Sequence, residues 1–299
     1  MILKIKLVIS SFCIIFNISA QQTTLIGRIA NESNVSLPYV SVFLLNKVNN
    51  GTFTDKDGVF KLNVYPEDTL CISHIGYTSV KISVNDIGKT LLLKPNVLYL
   101  KETTIRSKKL KSFSKKIGLN SEKVSGMFCG MDKYAMFVKN PLYREGSIKS
   151  MYCKVYHAKD SKFKNLNIQL RVRIYSKNKI NPYPNKDILQ ENIPIIIKYN
   201  QNNLAIDLSK YNIPFLKEGV FIGLDIIGYI DKEGNLIQNS LVDCRKNLCI
   251  KFTSQGKEGF LTYNAHLYKL SWNLVSNLLR KNSNPVNAML GVQVIFEED

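Results

Sequence analysis

Hydrophobic and polar positions alternate in short runs along most of this chain, interrupted by clusters of turn-forming residues. The clearest run is Ile168-Gln-Leu-Arg-Val-Arg-Ile-Tyr175. Ile168, Leu170, Val172 and Ile174 fall on one face, and Gln169, Arg171, Arg173 and Tyr175 on the other. A period of two is that of a half-buried strand, so the second set is expected to face solvent. Similar runs predict strands over 147–156, 193–199, 204–208, 220–230, 248–253 and 290–296. Asn181-Pro-Tyr-Pro184 and Asp231-Lys-Glu-Gly-Asn235 read as turns. Only Ser271 to Arg280 has some helical character. The region 126–299 is therefore expected to be an antiparallel β-sandwich, the jelly roll being one form it can take.

The N-terminal part carries shorter strands at closer spacing: Leu25–Ala30, Val40–Val48, Val59–Leu62, Leu70–Ser73, Val80–Val84 and Leu91–Leu93. That spacing signals an all-β sandwich. Asp55-Lys-Asp57-Gly58 predicts a tight turn, because Asp side chains accept local N–H groups and glycine takes positive φ freely. A calcium loop would need further oxygen ligands and a distal Glu, whereas here the chain runs directly into an apolar strand.

Four segments occur in order: Gly27-Arg28-Ile29, Leu37-Pro38-Tyr39-Val40-Ser41-Val42, Gly51-Thr-Phe-Thr54-Asp55-Lys-Asp57-Gly58-Val-Phe60, and His74-Ile75-Gly76-Tyr77. Over residues 23–97 this pattern resembles the carboxypeptidase D regulatory-like family. The resemblance implies a seven-stranded transthyretin-like sandwich and a non-catalytic accessory role. It makes Thr54, Asp55, Asp57, Gly58, Phe60, Gly76 and Tyr77 a structural motif. Leu98 to Ile105 is similar to the segment that follows this domain in TonB-dependent receptors, but the chain is too short for their barrel.

The first twenty residues have the form of a secretory signal peptide: Lys4 and Lys6, an apolar run from Leu7 to Phe16, and Ala20 at the cleavage position. The run is shorter than the ~20 residues that span a bilayer, and no later run is long enough. An exported protein with no transmembrane span is expected. Its charge is +18, or +16 once Lys4 and Lys6 leave with the leader. Such a balance favours acidic polysaccharide, lipopolysaccharide phosphates or anionic headgroups, with plain solubility as the alternative. Export makes nucleic acid the least fitting partner. Residues 98–125 read as a linker, whose basic run from Arg106 to Lys116 either touches an anionic surface or is simply solvated.

Five cysteines remain after the leader, an odd number that excludes a disulfide-dense scaffold. Cys71 and Cys153 lie in apolar strands and read as core residues. If Lys246-Asn247 forms a two-residue turn, Cys244 and Cys249 face each other and can form a disulfide.

Candidate chemistry is sparse. A zinc carboxypeptidase needs a His-x-x-Glu pair with a second histidine, and none of His74, His157 and His266 fits. There is no Gly-x-Ser-x-Gly elbow, and Gly88-Lys89-Thr90 lacks the upstream glycine of a phosphate loop. No catalytic residue, cofactor or metal site is expected. A carboxylate-pair hydrolase acting on carbohydrate stays open as a second reading, since its acids need not be close in sequence; Asp207 and Asp225 are strand-borne candidates. The binding foothold is the face formed by Arg171, Arg173 and Tyr175, with Tyr152 and Tyr156 on another strand. Arg forks suit acidic groups and aromatic rings suit sugars; an ordinary polar sheet face is the alternative. Trp272 reads as a core or rim residue. The expected protein is a non-catalytic accessory or binding protein of the periplasm, outer membrane or cell surface. Its expected partner is an envelope protein or an anionic polysaccharide. A purely structural role, with the first domain pairing to a partner's sheet, is the third possibility.

Overall fold

The computed structural model describes residues 21–298 except 46, 48–49, 97–110, 130–132, 158–164, 238–243, 245, 255–258, 267–270 and 276–285. The leader and the 98–105 segment thus lie outside the described residues. The fold is all-β.

Seven strands form the first unit: β1 (Thr23–Asn31), β2 (Ser41–Leu44), β3 (Gly51–Phe53), β4 (Val59–Val64), β5 (Thr69–Ser73), β6 (Val80–Ser83) and β7 (Thr90–Leu93). They make a three-stranded sheet, β4-β1-β7, and a four-stranded sheet, β3-β2-β5-β6. This is the seven-stranded sandwich that the family resemblance implies. Alternation on β4 puts Phe60, Leu62 and Val64 inside and leaves Lys61 and Asn63 in solvent. The core adds Ile29, Val40, Val42, Leu70 and Ile72. Gly27 is required because the Phe60 ring lies where its Cβ would be. The Asp55 carboxylate accepts the Asp57 and Val59 N–H groups at 2.9 Å each, and Gly58 sits at φ +75°. The Asp-x-Asp-Gly turn is therefore closed by its own side chain. Thr54 is fully buried; its hydroxyl donates to the Leu37 carbonyl at 2.7 Å and accepts the Val40 N–H at 2.9 Å.

The second unit begins earlier than expected. β8 (Ser112–Gly118) pairs along its length with the C-terminal strand, so seven residues of the expected linker are sheet. There follow β9 (Gly126–Phe128), β10 (Lys133–Lys139), β11 (Gly146–His157), β12 (Asn167–Lys177), β13 (Pro184–Asp187), β14 (Pro194–Ile197), β15 (Asn203–Asp207) and β16 (Ile213–Phe215). The last are β17 (Gly219–Ile230), β18 (Leu248–Thr253), β19 (Phe260–Ala265), β20 (Asn273–Leu274), β21 (Asn287–Ala288) and β22 (Leu290–Glu297). One sheet runs β13-β12-β17-β10-β19-β20, with β14 on β12. The other runs β21-β18-β11-β22-β8, with β15 and β16 on β11 and β9 on β18. One of the two curls into a half-barrel. The predicted helix at 271–280 is replaced at Asn273–Leu274 by strand pairing with β19; residues 276–280 lie outside the described residues.

Aliphatic side chains from both sheets, among them Ile148, Met151, Leu170, Val172, Ile222, Leu224, Val292 and Val294, fill the space between them. β17 is buried at every position, so both of its faces are covered. Tyr152 lies over a glycine pair, Gly118 opposite Gly291, that leaves room for its ring.

The disulfide differs from expectation. Cys249 is bonded to Cys129, 120 residues away, and Cys244 is a buried cysteine outside the bridge. Lys246 and Asn247 lie in a helical turn, so the chain does not double back there. A disulfide belongs to an oxidising, extracytoplasmic compartment. Among the described residues no helix is long and apolar enough to cross a membrane.

Candidate functional site

The outer face of the seven-stranded sheet carries the charged residues. Strand register lines up Arg171, Asp225, Lys133 and Ala265 in one row; Arg173, Gly223, Ala135 and Tyr263 in the next; and Tyr175, Phe221, Phe137 and Leu261 in the third. Residues paired across strands share a face, so these rows form one continuous surface.

The first unit sits on the Arg171 end of that surface. Arg171 donates to the Tyr39 carbonyl at 3.0 Å and approaches the Ser41 hydroxyl at 3.5 Å. Its guanidinium lies 5.6 Å from the centre of the Phe53 ring. Phe53 and Ile75 join the hydrophobic core of the second unit. At Gly76, φ +78°, a Cβ would come within 2.9 Å of the Gln190 carbonyl, so glycine permits the close approach of the two units. Tyr77 packs beside His74 with ring centres 5.6 Å apart. The expectation that Arg171, Arg173 and Tyr175 face solvent is thereby corrected for Arg171 and Tyr175, while Arg173 is partly buried. Arg171 is 1% exposed and Tyr175 4%, because the first unit and an aromatic cluster cover the polar side of β12.

Burial of these charges is matched by pairing. Arg171 donates from Nη2 at 2.7 Å and from Nε at 3.2 Å to one oxygen of Asp225. Arg173 Nη1 lies 3.3 Å from the same oxygen. Arg173 Nε approaches Asp187 to 2.7 Å, off the hydrogen-bonding direction. Burial pushes the Asp225 pKa up, but Arg173, Arg171 and Lys133 more than offset it and hold the carboxylate below its usual range. Burial carries Asp187 above that range, against the pull of Arg173. Burial also lowers the pKa of Arg171, against Asp225. For Arg173 burial acts in the same sense, and Asp187, Tyr175 and Asp225 outweigh it. His74, at the edge of the cluster, is driven down to about 3 by burial and by the two arginines, so it is neutral at physiological pH.

Beyond the covered end, the same face opens into a groove of about 540 Å³, within the size range of small-ligand clefts. Lys133, Arg173, Tyr175, Tyr183 and Trp272 line it, with Asn178, Asn185 and Ser271 at its polar positions. Trp272 meets Tyr175 edge-on at 5.5 Å, and Tyr183 meets Tyr263 edge-on at 6.0 Å. The Tyr175 hydroxyl is buried without a hydrogen-bond partner, and burial raises its pKa, so it stays a donor. No carboxylate lines this groove among the described residues.

The first unit thus carries the Thr54 clasp, the Asp55 turn and positive-φ glycines at 58 and 76. Residues 25–106 match the CarboxypepD_reg-like domain. No match to a curated protein was found. The motif of the CarboxypepD_reg-like domain serves two ends here. Thr54, Asp55, Gly58 and Phe60 hold its own sandwich, while Tyr39, Ser41, His74 and Gly76 meet the second unit.

The other candidates do not converge. Asp207 lies on the opposite sheet from Asp225, where its carboxylate accepts the Ser209 N–H at 2.9 Å and closes a 3-10 turn. His157 bonds to the Gln201 carbonyl at 3.1 Å. Among the described residues no three His, Cys, Asp or Glu side chains gather to hold a metal. The sequence reading missed the roles of Asp187, Lys133 and Tyr183. One signal was available: Asp225 stands alone in the apolar run Gly219–Ile230, and a lone acid there needs a buried cation.

Proposed function

We propose that this protein is a non-catalytic accessory protein of the cell envelope that binds an acidic polysaccharide in the groove beside its domain junction. The observation that carries the reading is the groove lining: three aromatic rings beside Lys133 and Arg173, the latter also paired with Asp187 and Asp225, and no carboxylate in the lining among the described residues. Ring faces pack against the C–H surfaces of sugars, and guanidinium and ammonium groups pair with uronate carboxylates. The disulfide supports an extracytoplasmic setting. The acid that a hydrolase would need on this face, Asp225, is buried beneath two arginines and serves the junction.

Electrophoresis through gels containing polygalacturonate, beside gels containing neutral dextran, tests the reading. The protein should be retarded only by the acidic polymer, and Trp272→Ala should remove most of the retardation. Incubation with the polymer should release no new reducing ends. Equal mobility in both gels would refute binding, and newly formed reducing ends would make the protein a hydrolase.

A further inference from the structure

Three loops gather at the end of the second unit where β10, β12 and β16 finish: residues 140–145, 178–183 and 216–218. They are physically joined. The buried Asn140 side chain donates to the Arg144 carbonyl at 2.6 Å and to the Leu216 carbonyl at 2.9 Å. Glu145, Ile180 and Lys217 line one shared depression.

Two of these loops hold large apolar side chains out into water. Ile180 is 90% exposed and Tyr143 is 66% exposed, the highest values among the exposed large hydrophobic residues. Neither tip is loosely built. The Asn178 carboxamide accepts the Ile180 and Asn181 N–H groups at 2.9 and 3.1 Å, and the Asn178 N–H donates to the Tyr183 carbonyl at 3.1 Å. Tyr143 is held at φ +54°, a conformation disfavoured for a bulky L residue. The Leu142 N–H beside it is bound by Asn140 at 3.0 Å. Around the tips stand the exposed Lys139, Lys177, Lys179, Lys186 and Lys217, against the exposed Glu145 and Glu218.

We infer that this end of the molecule seats on an anionic lipid surface, with Ile180 and Tyr143 entering the headgroup–acyl boundary and the lysines pairing with the headgroups. A free phosphate or a soluble polyanion would use the lysines and leave Ile180 in water, whereas a bilayer uses both. Lysine stems reach past an apolar tip to the charged layer, and a tyrosine ring suits the boundary between water and lipid. The inference stands on the loops alone and does not depend on what fills the groove. Asn178 and Tyr183 belong to both, so a molecule seated this way holds the groove mouth next to the membrane.

Co-sedimentation with phosphatidylcholine vesicles, with and without phosphatidylglycerol, tests it. The protein should sediment only with the anionic vesicles, and added salt should weaken the binding. Ile180→Asp should lower the partition coefficient by roughly tenfold or more, and so should the double variant Lys177→Glu/Lys179→Glu. Lys89→Glu, an exposed charge change on the first unit, should have no such effect. Because Ile180 is almost fully exposed, its variant should keep the wild-type urea midpoint, which confirms folding. Absence of sedimentation, equal sedimentation with neutral vesicles, or an unchanged partition coefficient for Ile180→Asp would overturn the inference. A Lys89→Glu loss equal to that of the loop variants would also overturn it, showing diffuse charge attraction in place of a seated end.

Discussion

Arg171 shows how much one residue can carry at a buried junction. Two donors go to Asp225 and a third to the Tyr39 carbonyl, so the side chain fixes β12, β17 and the first unit together. Replacing it by Met leaves a buried carboxylate without its main partner and should cost about 3–5 kcal/mol. The double variant Arg171→Met/Asp225→Leu removes both charges and should lie nearer the wild type. Urea titrations of the three proteins measure this, and a silent Arg171→Met would show that the junction does not depend on the pair. His74 gives the junction a pH dependence. Its folded-state pKa lies at about 3, below the ordinary 6.5. The unfolded chain therefore binds a proton that the native state refuses, and stability is lost as pH falls below 6.5. Between pH 6.5 and 4 the decline should approach about 1.4 kcal/mol per pH unit, and His74→Gln should flatten it. Urea midpoints at several pH values in that window supply the check.

Among the elements, legibility in the sequence followed which faces are covered. β4 has one face in solvent, and its alternation was plain. β12 alternates just as cleanly, yet its polar side is buried, because periodicity reports chemistry and not what another unit lays upon it. β10, with Tyr-Ala-Met-Phe-Val at its centre, is buried on both faces and has no alternation to read. β8 hid for the opposite reason: its first five residues are exposed and two of them are lysines, so it resembled linker. The turn at Asp55 was readable because all its bonds are local. The disulfide was not, because its partners are 120 residues apart and the nearer cysteine offered a simpler pairing. That bridge ties β18 to the residue that follows β9. Cys129→Ser should lower stability by about 2–5 kcal/mol, measured by urea unfolding with and without reductant. Equal loss in Cys244→Ser under oxidising conditions would point to the pairing first expected from sequence.

Over the whole molecule, the two units share a hydrophobic core through Phe53 and Ile75 and a polar one through Arg171. The CarboxypepD_reg-like domain covers one end of a sheet face, and the open remainder of that face is the groove. Seven-stranded order in the first unit was foreseeable from its motif; the groove was not, since Lys133, Arg173, Tyr183 and Trp272 come from four separate segments. The most direct test uses the single tryptophan of the chain, which stands in the groove wall. Trp272 fluorescence should change saturably as oligogalacturonate is added, remain flat with uncharged oligosaccharides of the same length, and leave the added oligomer intact. A flat response to both, or cleavage of the oligomer, would contradict the account.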